Sequence, residues 1–461
     1  MTLDYEILIV GAGPAGCAAG YDLASAGKHV LLLDKSSFPR HKPCACGLTR
    51  KTLKALRYPV DPVIERVWSE VVLEPMMSRE SADSLEMKTS LEPKGSYEPV
   101  VNHGPVKSTR SVRTSEAIGL GKADSGDRVR LHARSPICAL AVRERFDAFC
   151  LEKTLAAARD GGAISLRKIE RIASLREGEE WVELDVVRSD GQETHLETLR
   201  APIVLGADGA NGQIRRLAAT RAGSPNADPP AREGMGAFEQ DGFALEAKVP
   251  YSALPGSLPG GLAPQDLEMV FDFTPVPHGY GWLFPKADHV NIGVGVFTPA
   301  QEANGSEQKQ ITRALLQRYA EQKLGVTTLD HVTGMQLGMG GHNYVPRGRV
   351  LLTGDAAGLV DPLTGEGIHS AIFSGQAAAA AVLACPEAER SSDVAAAYAR
   401  NLRPLQRNLN FSLRAAKAFY DRPERGFKAM RAPFMRALIL KTYAEGVPYT
   451  RLISALAKLT A

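Results

Sequence analysis

The stretch Tyr5-Glu6-Ile7-Leu8-Ile9-Val10-Gly11-Ala12-Gly13-Pro14-Ala15-Gly16 decides the fold. Its first half is apolar and rich in β-formers, which predicts a strand. Its second half carries glycines in the GxGxxG spacing. A small-residue run from Cys17 to Ala26 predicts a helix ended by Gly27, and His29-Val30-Leu31-Leu32-Leu33 predicts a second strand closed by Asp34. Gly11 permits the tight turn, Gly13 lets the backbone approach a pyrophosphate, and Gly16 lets the helix pack on the strand. The helix N-terminus offers free N–H groups and the positive end of its dipole to phosphates. Asp34, eighteen residues past Gly16, stands where a ribose hydroxyl is bound. The pattern predicts a Rossmann-type dinucleotide-binding unit and does not itself choose between NAD and FAD.

Two later stretches extend this reading. Arg143-Glu144-Arg145-Phe146-Asp147 opens a predicted helix reaching about Arg159, and a strand follows the turn at Gly161-Gly162. The strand Ala201 to Ala207 ends in Asp208-Gly209, with Arg215 seven residues past the acid. That turn can contact a dinucleotide, although Asp-Gly also marks plain turns. Val350-Leu351-Leu352-Thr353 predicts another strand, followed by Gly354-Asp355 and then Asp361-Pro362-Leu363-Thr364-Gly365-Glu366-Gly367-Ile368. Asp355, at a strand's carboxyl end, is placed to accept a hydrogen bond from a ribityl hydroxyl. Gly365 and Gly367 let backbone N–H groups approach a planar ring. The helix that begins there, with Ser370, Ser374, Gly375 and Ala377 to Ala381, can stabilise negative charge on a reduced flavin.

The whole chain sets the limits. Its 461 residues suggest two or three domains. A net charge of +3, with no basic run interleaved with aromatics, gives no case for nucleic-acid binding. The N-terminus lacks the pattern of a signal peptide, no run of about 18 apolar residues appears, and the expectation is a cytoplasmic protein. The six cysteines form neither a disulfide framework nor a CxxC pair, and no metal is expected.

With the three motifs in order, the chain resembles the large FAD family of aromatic hydroxylases, flavin halogenases and geranylgeranyl reductases. It is most similar to the geranylgeranyl reductase branch. Phe38 to Leu48 is similar to that branch's FPR-x-KPC-GGGL segment. Gly279 to Lys286 is similar to its YxWxFPK segment, and Gly354 to Ile368 is similar to its third motif. The tail Tyr443 to Tyr449 also looks like C-termini of bacterial members. The resemblance implies FAD contacts from Gly11, Gly13, Ala15, Gly16, Asp34, Lys35, Arg40, Gly47, Leu48, Arg143, Asp208, Gly354, Asp355, Pro362, Gly365, Gly367 and Ile368. It implies that Tyr280 and Trp282 line a substrate cavity over the flavin; a Trp and a Tyr on a strand are otherwise core residues. Two features depart from the branch. Ala45-Cys46-Gly47 replaces three glycines and puts a second thiol near the flavin, as a redox group or as a space-filling substitution. Residues 75–135 form a long polar insertion, as a partner-binding element or a solvated loop.

The expected architecture is α/β. A discontinuous Rossmann-type FAD-binding domain (1–60, 141–220 and 345–384) joins an antiparallel substrate domain (61–140 and 221–344) and a C-terminal helical region (385–461). Alternation in runs such as His289 to Val296 carries the antiparallel reading. Residues Phe427 to Leu459 mix Lys and Arg with Leu, Met and Phe, which suits either packing on the other domains or peripheral membrane contact. The favoured function is reduction of carbon–carbon double bonds in a hydrophobic, prenyl-like substrate by hydride transfer from reduced flavin. The alternative is a monooxygenase that hydroxylates an aromatic group through a flavin C4a-hydroperoxide, with a small-molecule or protein-borne substrate. A non-catalytic FAD-binding protein is the third class. No WxWxIP segment supports a halogenase. No second GxGxxG marks an NAD(P)H site, and the resembled family often lacks one, so the reductant stays open between NAD(P)H and another electron donor. The flavin carries the chemistry, with Tyr280, Trp282 and Cys46 as candidate catalytic side chains.

Overall fold

A computed structural model describes residues 5–75, 128–219 (apart from 160, 190 and 192), 240–299, 311–385 and 391–451. The chain opens with β1 (Ile7–Val10), α1 (Pro14–Ser25), β2 (His29–Asp34), β3 (Gly47–Thr49), α2 (Arg50–Ala55), β4 (Ile64–Trp68) and β5 (Glu70–Glu74). It continues with β6 (Val129–His132), β7 (Cys138–Ala141), α3 (Arg143–Leu155), β8 (Ala163–Lys168), β9 (Arg171–Glu177), β10 (Val182–Ser189), β11 (Thr194–Ala201), β12 (Ile203–Gly206) and α4 (Gln213–Ala219). Then come β13 (Gln240–Pro250), β14 (Val270–Asp272), β15 (Gly279–Pro285), β16 (His289–Pro299), α5 (Arg313–Leu324), β17 (Thr333–Met339) and β18 (Val350–Leu352). Four helices end the described chain: α6 (Ile368–Leu383), α7 (Ser391–Tyr420), α8 (Pro423–Arg431) and α9 (Pro433–Tyr443).

Five strands form a parallel sheet in the order β18-β12-β1-β2-β8. Every side chain of β1 and β12 is buried, as expected of a parallel sheet covered on both faces. The strands come from distant parts of the chain, and their carboxyl ends bring the three glycine-rich stretches to one edge. The turn glycines are demanded by backbone crowding there. Gly11 has φ 104, and a Cβ on it would fall 2.3 Å from the Ala207 carbonyl oxygen. A Cβ on Gly16 would fall 1.8 Å from the Gly11 oxygen. The α1 helix starts at Pro14 rather than at Cys17, because Gly13 is extended and Pro14 is pre-set for a first helical turn. Ala15 and Gly16 therefore belong to the helix itself.

A seven-stranded sheet, β17-β13-β16-β15-β14-β5-β6, is antiparallel except for the parallel β14–β5 pair. It uses β6, so the expected polar insertion is drawn too far at its C-terminal side: Val129 to His132 pair with β5, with Val129 and Leu131 buried. Residues 76–127, the bulk of that expected insertion, lie outside the described residues. A three-stranded antiparallel sheet, β11-β10-β9, is inserted between β8 and β12. The α6 helix packs on α1, and α7 packs on α6.

Candidate active site

Asp34 ends β2, where its Oδ2 accepts the Ala12 N–H at 2.8 Å and its Oδ1 accepts the Ser36 N–H at 2.8 Å. The carboxylate is thereby fixed beside the glycine turn, with Lys35 exposed next to it. Arg40 reaches the same turn, and a Cβ on Gly13 would come 3.3 Å from its Nη2. Arg40 and Arg143 share one carboxylate: Asp147 takes Arg40 at 3.1 Å and Arg143 at 2.6 Å. A helix N-terminus with two guanidinium groups near it fits a pyrophosphate.

Asp208 Oδ2 accepts the Ile214 N–H at 3.0 Å and so caps α4. Gly354 (φ 57) packs against Ala15 and Ala371. Asp355 leads into the α6 N-terminus: its Oδ1 lies 3.1 Å from where a Cβ on Gly367 would stand, a gap that only glycine leaves open. Ile368 begins α6, and Pro362 is buried in the loop before it. Asp361 organises this loop. Its Oδ1 accepts the Leu363 and Thr364 N–H groups at 2.9 and 3.2 Å, and its Oδ2 accepts the Ser412 hydroxyl of α7 at 2.8 Å.

A cavity of about 610 Å³ lies above this loop, within the roughly 300–1,000 Å³ usual for small-molecule sites. One end is formed by Cys44 to Gly47 and Leu363 to Ile368. The wall is the seven-stranded sheet, with Tyr280, Trp282, Phe284, Phe271 and Phe297. The roof is helical, with Phe419, Met430, Leu438, Ile439 and Tyr443. Tyr280 packs tilted against Phe297 at 5.1 Å and edge-on against Phe271 at 5.2 Å, ring centre to ring centre.

The aromatic wall has a sequence cause. Tyr280 pairs across the sheet with Gly295, and Trp282 with Gly293. A Cβ on Gly293 would strike the Trp282 ring at 2.0 Å, so the glycine lets the indole lie flat on the sheet. The Trp282 Nε1 donates to Asn291 Oδ1 at 2.7 Å, and the Tyr280 hydroxyl donates to the Thr364 carbonyl. Both polar edges are therefore engaged by the protein, and burial raises the Tyr280 pKa beyond its ordinary value. Glu366 is likewise satisfied, by Lys51 at 2.6 Å and the Thr49 and Thr52 hydroxyls at 2.7 and 3.0 Å. Burial opposes its ionisation, yet the Lys51 charge holds it below the usual carboxylate range. The cavity thus presents hydrocarbon and ring faces.

Sequence reasoning missed Glu246. It lies on β13, buried, and its Oε1 accepts the Cys44 N–H at 2.8 Å. Its one signal is an acid in register with inward-facing Ala244. Leu48 is buried under the same region, with Gly47 against the Cys138 thiol.

The glycine turn and the acid at the end of β2 define a dinucleotide-binding protein, with an apolar cavity beside the third glycine-rich loop. The FAD binding domain family matches residues 4–410, and the chain belongs to it. It is an FAD-dependent oxidoreductase similar to geranylgeranyl reductases. A digeranylgeranylglycerophospholipid reductase of Methanopyrus kandleri is 25% identical over 398 residues, covering 86% of this chain and 84% of that protein. A menaquinone reductase of Mycolicibacterium smegmatis is 25% identical, covering 81% and 75%. The solved structure of a geranylgeranyl bacteriochlorophyll reductase-like protein of Thermoplasma acidophilum shares the fold at a TM-score of 0.65 and 16% identity, covering 99% of each chain. A p-nitrophenol 4-monooxygenase of Pseudomonas putida shares it at 0.55 and 14%, covering 100% and 98%.

Burial, with the neighbouring Cys44 charge, pushes the Glu246 carboxyl from 4.5 up to about 7. A carboxyl raised on folding contributes stability that is full below the unfolded value and lost as pH rises through the folded one. Glu246→Gln should therefore gain stability relative to the parent protein between about pH 4.5 and about pH 7, by up to about 3 kcal/mol. Thermal melts of both proteins across that window check it; a constant difference would show that Glu246 does not titrate there.

Proposed function

We propose that the protein reduces carbon–carbon double bonds in the isoprenoid chain of a lipid. The observation that carries this reading is the apolar cavity whose end is built from the loops at Cys44–Gly47 and Leu363–Ile368. FAD supplies a hydride donor when bound. The chain's own residues do the rest. The glycine turn, Asp34, Arg40 and Arg143 hold the dinucleotide end, and Asp208 and Asp355 hold its sugar-like middle. Gly365, Gly367 and the α6 N-terminus receive the ring. Tyr280 and Trp282, anchored at their polar edges, present ring faces that orient a chain and exclude water. Arg425 is the only basic side chain among the described lining residues and suits a polar headgroup. The relatives named for prenylated lipids and for menaquinone support a substrate of this class. The reductant is NAD(P)H or another donor, and six free cysteines suit a reducing compartment such as the cytoplasm.

The substrate reaches the cavity from a lipid surface. Six basic side chains and one acid lie between Arg422 and Lys441. Arg422, Arg425, Lys428 and Phe434 on this segment are exposed, while Met430, Leu438 and Ile439 line the cavity beneath. Among the described residues no helix is long and apolar enough to cross a membrane. The arrangement suits a segment resting on anionic headgroups.

Three measurements test the reading. Asp355→Ala should purify colourless, and full flavin retention would refute its role at the cofactor. Anaerobically reduced holoprotein mixed with a polyprenyl phospholipid should reoxidise and return lipid heavier by two hydrogens per bond. Failure there, with oxygen-dependent hydroxylation of a phenol instead, would make it a monooxygenase. The pair Arg422→Ala and Lys428→Ala should weaken sedimentation with phosphatidylglycerol vesicles roughly tenfold or more; unchanged sedimentation would remove the membrane role.

A further inference from the structure

Cys44 and Cys46 stand one residue apart at the end of the cavity, and both line it. We propose that they form a peroxide-reactive dithiol that closes reversibly to a disulfide. One turn holds the two residues together: the Cys46 N–H donates to Cys44 Sγ at 3.3 Å. Cys46 adopts φ 52, a left-handed backbone that a side chain takes at a cost, just before β3. The Cys44 N–H is held by Glu246 at 2.8 Å, which fixes the start of the turn.

The Cys46 N–H and the positive charge of Arg143 favour the thiolate at Cys44, which makes Cys44 the attacking sulfur and Cys46 the resolving one. The hydrogen bond from Cys46 and the charge of Arg143 hold the Cys44 thiol well below its ordinary range. Proximity to the Cys44 sulfur, with burial, holds Cys46 above its range as a thiol. Low-pKa cysteines beside a resolving thiol are the ones that oxidise reversibly. The Cys44 thiolate attacks a peroxide oxygen: an S–O bond forms, the O–O bond breaks, and hydroxide or alkoxide leaves. Sulfur loses two electrons and the peroxide gains them. The Cys46 sulfur then attacks Cys44, the S–O bond breaks, and the hydroxyl departs as water with the Cys46 proton. Two thiols and one peroxide become one disulfide.

Cys138 also lines the cavity, but burial pushes its thiol up to about 12, so it serves as an internal comparison. The tryptic peptide His41 to Arg50 carries both reactive cysteines. The test exposes the holoprotein to stoichiometric hydrogen peroxide, blocks free thiols with N-ethylmaleimide in denaturant, and weighs the peptides. The expected peptide is unblocked and lighter by two hydrogens, dithiothreitol restores both thiols, and Cys138 is blocked throughout. Cys46→Gly suits the left-handed backbone, and retained flavin absorbance shows it folds. In that variant dimedone should trap a sulfenic acid on Cys44. Two blocked cysteines in the parent peptide, a disulfide to Cys138, or no dimedone adduct in the folded variant would each overturn the proposal.

Discussion

Everything at the site depends on how closely α1 and α6 approach. A Cβ on Gly375 would lie 2.2 Å from the Ala15 carbonyl oxygen. No side chain fits between them, so the first turn of α1 rests directly on the middle of α6. Gly354, between Ala15 and Ala371, closes the same junction. The turn after β1 and the loop before α6 are about 350 residues apart in sequence, yet this contact makes them one rigid surface. A bulkier residue would have to displace backbone, which costs more than repacking a side chain.

Above that surface the protein builds a cavity by an unusual use of glycine. In most strands glycine weakens pairing, because it has no side chain to pack. Gly293 and Gly295 are covered instead by the Trp282 ring from the neighbouring strand, with Tyr280 packed edge-on beside it. The rings take the space the glycines leave, and their polar edges are tied to Asn291 and Thr364. A broad apolar wall results with its hydrogen-bonding groups satisfied, as burial requires.

Much of this was legible in the chain. The alternation of strand, glycine turn, strand and acid over residues 5–34 reads directly as the parallel sheet, because every step is local. The strand before Gly354 and the helix after Gly367 are legible for the same reason, and the alternation in β16 marks the second sheet. What escaped depends on partners far away in sequence. Glu246 is one acid on an alternating strand until the fold brings Cys44 to it. Residues 129–132 look polar because Arg130 and His132 face outward, and only pairing with β5 shows them to be a strand. The inserted sheet of β9 to β11 has no motif at all. The start of α1 at Pro14 was missed because a glycine turn and a first helical turn share residues.

The cavity's two ends come from different parts of the gene. The loops at Cys44 and Gly365 belong to the nucleotide-binding framework, where crowded glycines leave little freedom to vary. The roof comes from the end of α7 with α8 and α9, and α7 is tied to that framework by Ser412 to Asp361 and Tyr420 to the Leu363 carbonyl. The loop end and the helical end of the cavity are thus separate segments of the chain. Changes at Met430, Leu438 or Ile439 alter the length and width of the space without touching the glycine junction. A lineage can retune what it accepts while the framework beneath it stays constant.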